Sequence, residues 1–381
     1  MTAALAGVVA LVVTSCSGGS GDIGPVQQGP ADSTAVPTAT PREEEPELIR
    51  RGVRAPELRG IVSWLNSEPL SIEALRGKVV LIDFWTYTCI NCLRTFPFLR
   101  DWHEKYADQG LVIIGVHTPE FAFERDLNNV REAAERNMLT YPIALDNDYA
   151  TWNAFQNRYW PRKYLIDKDG FIRYDHAGEG RYEATENVIK RLLAEIGADV
   201  QAEVSVTDPQ PGPLSAARLV TRELYAGLRG ALSGQIGNFV RSAIGQPYDY
   251  ALPKSLKENR IYLKGSWVVG EEASRHARST EAFEDEVVLR YWARSVNLVI
   301  RPEGDEPFDL KVTLDGKPLE DYDAGPDIRF DDNGESYVRV DTPRLYVLVS
   351  SPVADGHELR LSSNSDAFAL FAFTFGVGEQ D

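Results

Sequence analysis

The 381-residue sequence predicts an α/β domain followed by an all-β sandwich. Two patterns carry that prediction. Between Lys78 and Ile196, strand-like apolar runs alternate with stretches of helical spacing, and the alternation closes on a hairpin and a helix. From Arg260 onward, about eight short runs with period-two patterning follow one another, separated by turn residues. Composition fits two folded parts, since 43% of the residues are hydrophobic and the chain is longer than one core usually supports. Fifty-seven acidic against forty basic residues give a formal charge of −17. That excess repels phosphate backbones and excludes nucleic-acid binding as the main task.

Ala3 to Val13 form an apolar run of signal-peptide length, too short to span a bilayer as a mature helix. The run ends Val13-Thr14-Ser15-Cys16, which resembles a bacterial lipobox, although no Lys or Arg precedes it. Residues 1–16 are therefore expected to be a lipoprotein signal peptide with Cys16 as the lipidation site. On that expectation the chain is exported and anchored to a membrane, facing the periplasm or the extracellular side. Residues 17–55, rich in Gly, Ser, Thr and Pro, bury too little apolar surface to fold and read as a flexible tether.

The α/β domain is expected over 56–197. Lys78 to Trp85 is a near-continuous apolar strand, the pattern of a strand covered on both faces. Phe96 to Tyr106 has helical spacing, Leu111 to Val116 is a second buried strand, and Phe123 to Asn137 is helix-like. Lys163–Asp167 and Phe171–Tyr174 form a hairpin whose Gly170 supplies the positive φ of the turn. Glu183 to Ile196 closes the domain as a helix.

Cys89-Ile90-Asn91-Cys92 lies directly after the first buried strand and just before a helix. A cysteine placed there meets unpaired amides and the helix macrodipole, which stabilise a thiolate. Such a thiolate attacks a disulfide, and a second cysteine one turn along resolves the mixed disulfide. Asp83, six residues earlier on the buried strand, is expected to have a raised pKa suited to handling the proton of Cys92.

Asp83-Phe84-Trp85 followed by Thr86-Tyr87-Thr88-Cys89-Ile90-Asn91-Cys92 resembles the thioredoxin-fold thiol–disulfide oxidoreductases of the TlpA/DipZ kind. With Gly115-Val116-His117-Thr118-Pro119-Glu120-Phe121 added, it is similar to the exported C-terminal region of DipZ proteins. The resemblance implies a thioredoxin-like fold and a cis-proline at Pro161 facing the CxxC. It also implies a substrate-binding role for Trp160 and Pro161. Thr88 stands where thioredoxins carry Trp before the first cysteine, so the substrate surface around Thr88 is expected to differ. DipZ proteins carry a multi-helix membrane module ahead of this region, which is not in this sequence. A separate membrane electron donor of the CcdA/DsbD kind is thereby implied, with protein thiols or disulfides as substrates. No cofactor is expected beyond the Cys89–Cys92 disulfide itself. The implied task is reduction in envelope redox homeostasis or cytochrome c maturation.

Other uses of a CxxC fit less well. Zinc needs four ligands, and no second CxxC accompanies this one, while His103, His117, His176, His276 and His357 are scattered. A structural disulfide is a further reading in an exported chain. A thiol peroxidase is the closest enzymatic rival. Thr86 lies three residues before Cys89 as in peroxiredoxins, but Ile82 occupies the position where those enzymes have proline. His117 and Glu120 read either as groups at a strand end or as tuning residues of the site.

Residues 198–250 are expected to be a linker and connecting segment, and 251–381 the β-sandwich. Gly265-Ser266-Trp267 and Ala372-Phe373-Thr374-Phe375-Gly376 resemble the tail of DipZ proteins, a jelly roll similar to carbohydrate-binding modules. The resemblance implies a binding or positioning role for the domain and does not identify a ligand, a carbohydrate being one candidate. Trp267 and Trp292 suit stacking on a sugar ring, but tryptophans of a sandwich core have the same appearance. A non-catalytic envelope or glycan-binding lipoprotein is the non-enzymatic alternative.

Overall fold

The computed structural model describes residues 52–200, 220–304 and 306–376. The expected signal peptide, Cys16 and almost all of the tether lie outside the described residues.

The first domain is a six-stranded sheet flanked by helices. Its strands are β1 (Ser63–Leu65), β2 (Val79–Trp85), β3 (Leu111–His117), β4 (Ile143–Leu145), β5 (Arg162–Ile166) and β6 (Ile172–Ala177). The sheet order is β1-β4-β3-β2-β5-β6, with β2, β3 and β4 parallel and the hairpin β5–β6 antiparallel at one side. The helices are α1 (Ile90–Tyr106), α2 (Leu127–Arg136), α3 (Ala150–Ala154) and α4 (Tyr182–Glu195). This is the thioredoxin-like α/β fold. The strands β1 and β4 and the helix α3 have no counterpart in the sequence pattern, because three- to five-residue elements carry too few positions to show a period.

Every residue of β2 is buried, and its alternate side chains enter different cores. Val79, Leu81 and Trp85 pack with Phe96, Leu99 and Trp102 of α1 and with Val188 and Leu192 of α4. Val80, Ile82 and Phe84 pack with Trp152, Phe155 and Tyr164 on the opposite face. Asp83 shares the parity of Leu81 and Trp85, so it points toward α1. Gly170 turns the β5–β6 connection at φ +77°.

The second domain is built almost wholly of strands. It comprises β7 (Leu224–Tyr225), α5 (Leu228–Leu232), β8 (Tyr248–Tyr250), β9 (Arg260–Val269), β10 (Ser274–His276), β11 (Asp285–Pro302), β12 (Phe308–Leu314), β13 (Lys317–Pro318), β14 (Ile328–Phe330), β15 (Ser336–Val340), β16 (Arg344–Ser363) and β17 (Phe368–Gly376). The apolar runs Glu286–Trp292 and Val296–Ile300, which read as separate strands, lie in one long strand, β11, and Leu345–Val349 and Glu358–Leu361 likewise share β16. β11 pairs with β9 through Glu286–Arg290 and with β17 through Ser295–Pro302, changing neighbour at a register shift between Ala293 and Ser295. Strands that change sheets at a bulge form the corners of a sandwich. Between the layers lies an apolar core that includes Leu263, Val287, Leu298, Val312, Leu348, Leu361 and Phe373.

The connecting segment expected over 198–250 needs correcting. Its part from Leu224 belongs to the sheet: β7 pairs with β17 and β8 with β9. Leu224 and Tyr250 are buried. Strands of two and three residues are held by the edge they join, which local sequence does not report.

Candidate active site: a dithiol at a helix N-terminus

Cys89 is the N-cap of α1, with extended backbone at φ −84° and ψ 109°. Its Sγ accepts the Cys92 amide at 3.3 Å, and its carbonyl accepts the amides of Cys92 and Leu93 at 3.0 and 3.1 Å. The first cysteine therefore takes the place usually held by a capping Ser or Asp side chain. Cys89 is half-buried and Cys92 sealed, and both are free thiols. Burial pushes the Cys92 thiol well above its usual range, and neighbouring Cys89 and Asp83 add to the shift. One sulfur is open to an incoming disulfide and caps the first turn of α1. The other is held as a thiol behind it.

Asp83 lies beneath this pair, fully buried, its carboxyl lifted by burial to about 6 against the opposing pull of Lys163. Lys163 is its register partner on β5, with Nζ 3.5 Å from Asp83 Oδ1. The sequence reading missed Lys163, although a lysine inside an otherwise buried strand two residues after Pro161 is a visible oddity.

The Trp160–Pro161 peptide is cis. Arg162 is opposite Phe84, which puts Pro161 beside the end of β2 from which the Cys89 turn departs. The Trp160 indole donates to the Thr118 carbonyl at 3.1 Å. The Thr88 side chain, expected at the substrate surface, instead turns inward and is buried. Its hydroxyl donates to Glu124 Oε1 at 2.5 Å, and a buried hydroxyl needs such a partner. Glu124 is the second residue the sequence reading missed. Its other oxygen accepts the amides of Glu120 and Phe121 at 2.5 and 2.9 Å, and burial lifts its carboxyl to about 7. A Glu at the third position of a helical turn, reaching back to the turn's first amides, is the signal that was available.

His117 is buried, edge-on to Trp85 and stacked on Tyr87, with Nε2 3.4 Å from Thr86 Oγ1. Desolvation lowers its pKa to about 3, so it is a neutral packing group at physiological pH. Glu120 faces the second domain, where Tyr225 donates to it at 2.7 Å. In that domain Trp267 is wholly buried against Phe368, its indole N–H donating to the Lys264 carbonyl, so it offers no face to a sugar. Trp292 is half-buried.

A parallel-centred sheet, a CxxC capping the helix after its central strand, a buried aspartate beneath and a proline opposite define a thioredoxin-fold dithiol protein. Family models agree, the AhpC/TSA family matching residues 52–175 and the Thioredoxin like C-terminal domain matching 221–376. Thiol-disulfide oxidoreductase YkuV of Bacillus subtilis is 36% identical over 140 residues, 37% of this chain and 94% of that protein. The chain belongs to the thioredoxin-like thiol–disulfide oxidoreductases. Protein DipZ of Mycobacterium tuberculosis is 40% identical over 282 residues, 71% of this chain but 38% of DipZ, so the chain spans well under half of that relative. Thiol-disulfide oxidoreductase ResA of Bacillus thuringiensis is 27% identical over 146 residues, 38% of this chain and 80% of ResA.

Proposed function

We propose that this chain reduces disulfides of extended protein substrates outside the cytosol, with Cys89 attacking, Cys92 resolving and Asp83 moving the proton. The observation that carries the reading is the contact of Cys89 Sγ with the Cys92 amide at the start of α1, with Cys92 buried behind it.

Each step balances. The Cys89 thiolate attacks one sulfur of the substrate disulfide, forming a mixed disulfide and releasing the other sulfur as a thiolate that takes a proton from water. Cys92 then gives its proton to the Asp83 carboxylate and attacks Cys89 Sγ, which releases the second substrate thiolate and closes the Cys89–Cys92 disulfide. The substrate gains two electrons and the dithiol loses two, so the exchange draws on no dissociable cofactor. Trp160 and Pro161 shape the groove that receives the polypeptide. A membrane dithiol protein of the CcdA/DsbD kind returns the electrons. The apolar leader and Cys16 support a lipid-anchored location facing the periplasm or extracellular side.

The deciding experiment equilibrates the full chain with graded dithiol/disulfide buffers and follows tryptophan fluorescence, with alkylation as a check. A midpoint at or below about −220 mV makes the protein a reductase. A midpoint near about −120 mV makes it an oxidant that inserts disulfides and overturns the direction proposed.

A further inference from the structure

The loop from Thr118 to Glu124, between β3 and α2, touches both sides of the redox site. Glu124 holds the Thr88 hydroxyl, immediately before Cys89, and the Thr118 carbonyl holds the Trp160 indole, immediately before Pro161. The Thr118 amide also bonds the Trp85 carbonyl at the end of β2.

The outer side of the same loop is gripped by the second domain. Tyr225 donates to Glu120 Oε1 at 2.7 Å. The Ala122 amide donates to the Glu272 carboxylate, 3.1 Å from each oxygen. The Phe371 ring stands edge-on to Phe121 and Phe123, with centroids 5.1 and 4.8 Å away. Phe371, Ala372 and Leu345 of the second domain thus join the same apolar cluster as Trp85 and Cys92. Loop geometry is soft when left to itself, and two hydrogen bonds with an aromatic seam restrict its middle, from Glu120 to Phe123.

We propose that the C-terminal domain positions the polypeptide groove of the redox site, with Tyr225 and Glu272 as positioning residues acting through the Thr118–Glu124 loop. The inference rests on the thiol–disulfide exchange read above and adds to it a function for the β domain. A small disulfide needs only the Cys89 sulfur, whereas a protein disulfide also needs the Trp160–Pro161 edge and the backbone at Thr88 held at fixed separation. The loss of this grip therefore acts selectively on large substrates.

The test is single-turnover oxidation of the reduced full chain by two probes, insulin as the protein disulfide and oxidised glutathione as the small one. In the double variant Tyr225→Phe/Glu272→Ala, the insulin rate is expected to fall about tenfold relative to the glutathione rate, as expected for two lost hydrogen bonds. Glu272→Gln keeps a carbonyl oxygen for the Ala122 amide and is expected to hold the ratio within about twofold of wild type. Should the double variant fold poorly, Tyr225→Phe alone, which keeps the ring, is expected to lower the ratio about threefold. An unchanged ratio in a folded variant overturns the proposal, as does an equal slowing with both probes accompanied by a shifted dithiol midpoint. A wild-type chain that oxidises with neither probe sinks the exchange reading itself, a result separable from any change of ratio.

Discussion

Asp83 and Lys163 are register partners across the β2–β5 ladder, 3.5 Å apart and 0% and 1% exposed. Neither carboxyl oxygen of Asp83, nor Lys163 Nζ, has a hydrogen-bond partner among the described protein groups. One long contact in a dry interior compensates two charges incompletely. Burial therefore wins over the lysine, and Asp83 holds its proton up to about pH 6. The same residue is a carboxylate at neutral pH, ready to take the proton of a thiol that burial keeps from ionising.

Replacing Asp83 with Asn removes that acceptor and leaves the first attack intact. With a single substrate disulfide, release of the mixed disulfide is expected to slow about 100-fold, the usual scale of a lost general base. In the wild-type protein, that release rate is expected to rise as pH passes about 6, where Asp83 ionises. Quenched-flow alkylation with mass detection of the mixed disulfide reads both quantities. A variant that resolves at the wild-type rate removes Asp83 from the mechanism.

The two cysteines are expected to differ sharply toward iodoacetamide at pH 7. Cys89 is half-buried at a helix N-terminus, whereas Cys92 is sealed and its thiol is pushed well above its usual range. In the reduced chain Cys89 is expected to be modified first, Cys92 lagging by at least about tenfold until the protein is unfolded. Peptide mapping of a time course checks this, and equal labelling of both would break the division of roles.

What the sequence made legible was local. Cys89, Cys92 and the strand before them announce themselves within the fourteen residues from Val79 to Cys92, because a buried strand running into a capped helix is a contiguous pattern. Pro161 came from the family resemblance. What the sequence hid depends on which residues meet after folding. Lys163 reaches Asp83 through a register eighty residues long, and Glu124 reaches Thr88 across thirty-six. Leu224–Tyr225 is a strand only because β17 offers an edge to it. The inward turn of Thr88 has the same origin, since the buried acceptor that draws its hydroxyl comes from another element.

Gly115 on β3 is fixed by packing. A Cβ built there lies 2.8 Å from Trp85 Nε1 and 3.1 Å from Tyr141 Cε2, both in the core behind the dithiol. Gly115→Ala is expected to destabilise the fold by about 1–3 kcal/mol through overpacking, read as a lower urea midpoint with an unchanged slope. Stability equal to wild type would show that Trp85 shifts freely, which its burial opposes.

The domain seam is expected to carry its own pH dependence. Tyr225 Oη lies 2.7 Å from Glu120 Oε1 and 2.9 Å from Glu223 Oε2, yet a phenol has one hydrogen to donate. Both contacts are hydrogen bonds only when one carboxyl is protonated and donates back. Burial, with Glu223 adding, lifts Glu120 to about 7, and Glu223 is raised as well, while Arg229 opposes both. A carboxyl whose folded pKa exceeds its unfolded value makes the folded state bind the extra proton between about 4.5 and 7. Stability then falls as pH rises through that window. Glu120→Gln keeps an oxygen for the phenol and removes the titration, so its stability relative to wild type is expected to improve by about 2 kcal/mol between pH 5 and pH 8. Urea unfolding of both proteins at the two pH values decides it. Parallel curves would mean that the second carboxyl, Glu223, carries the shared proton alone.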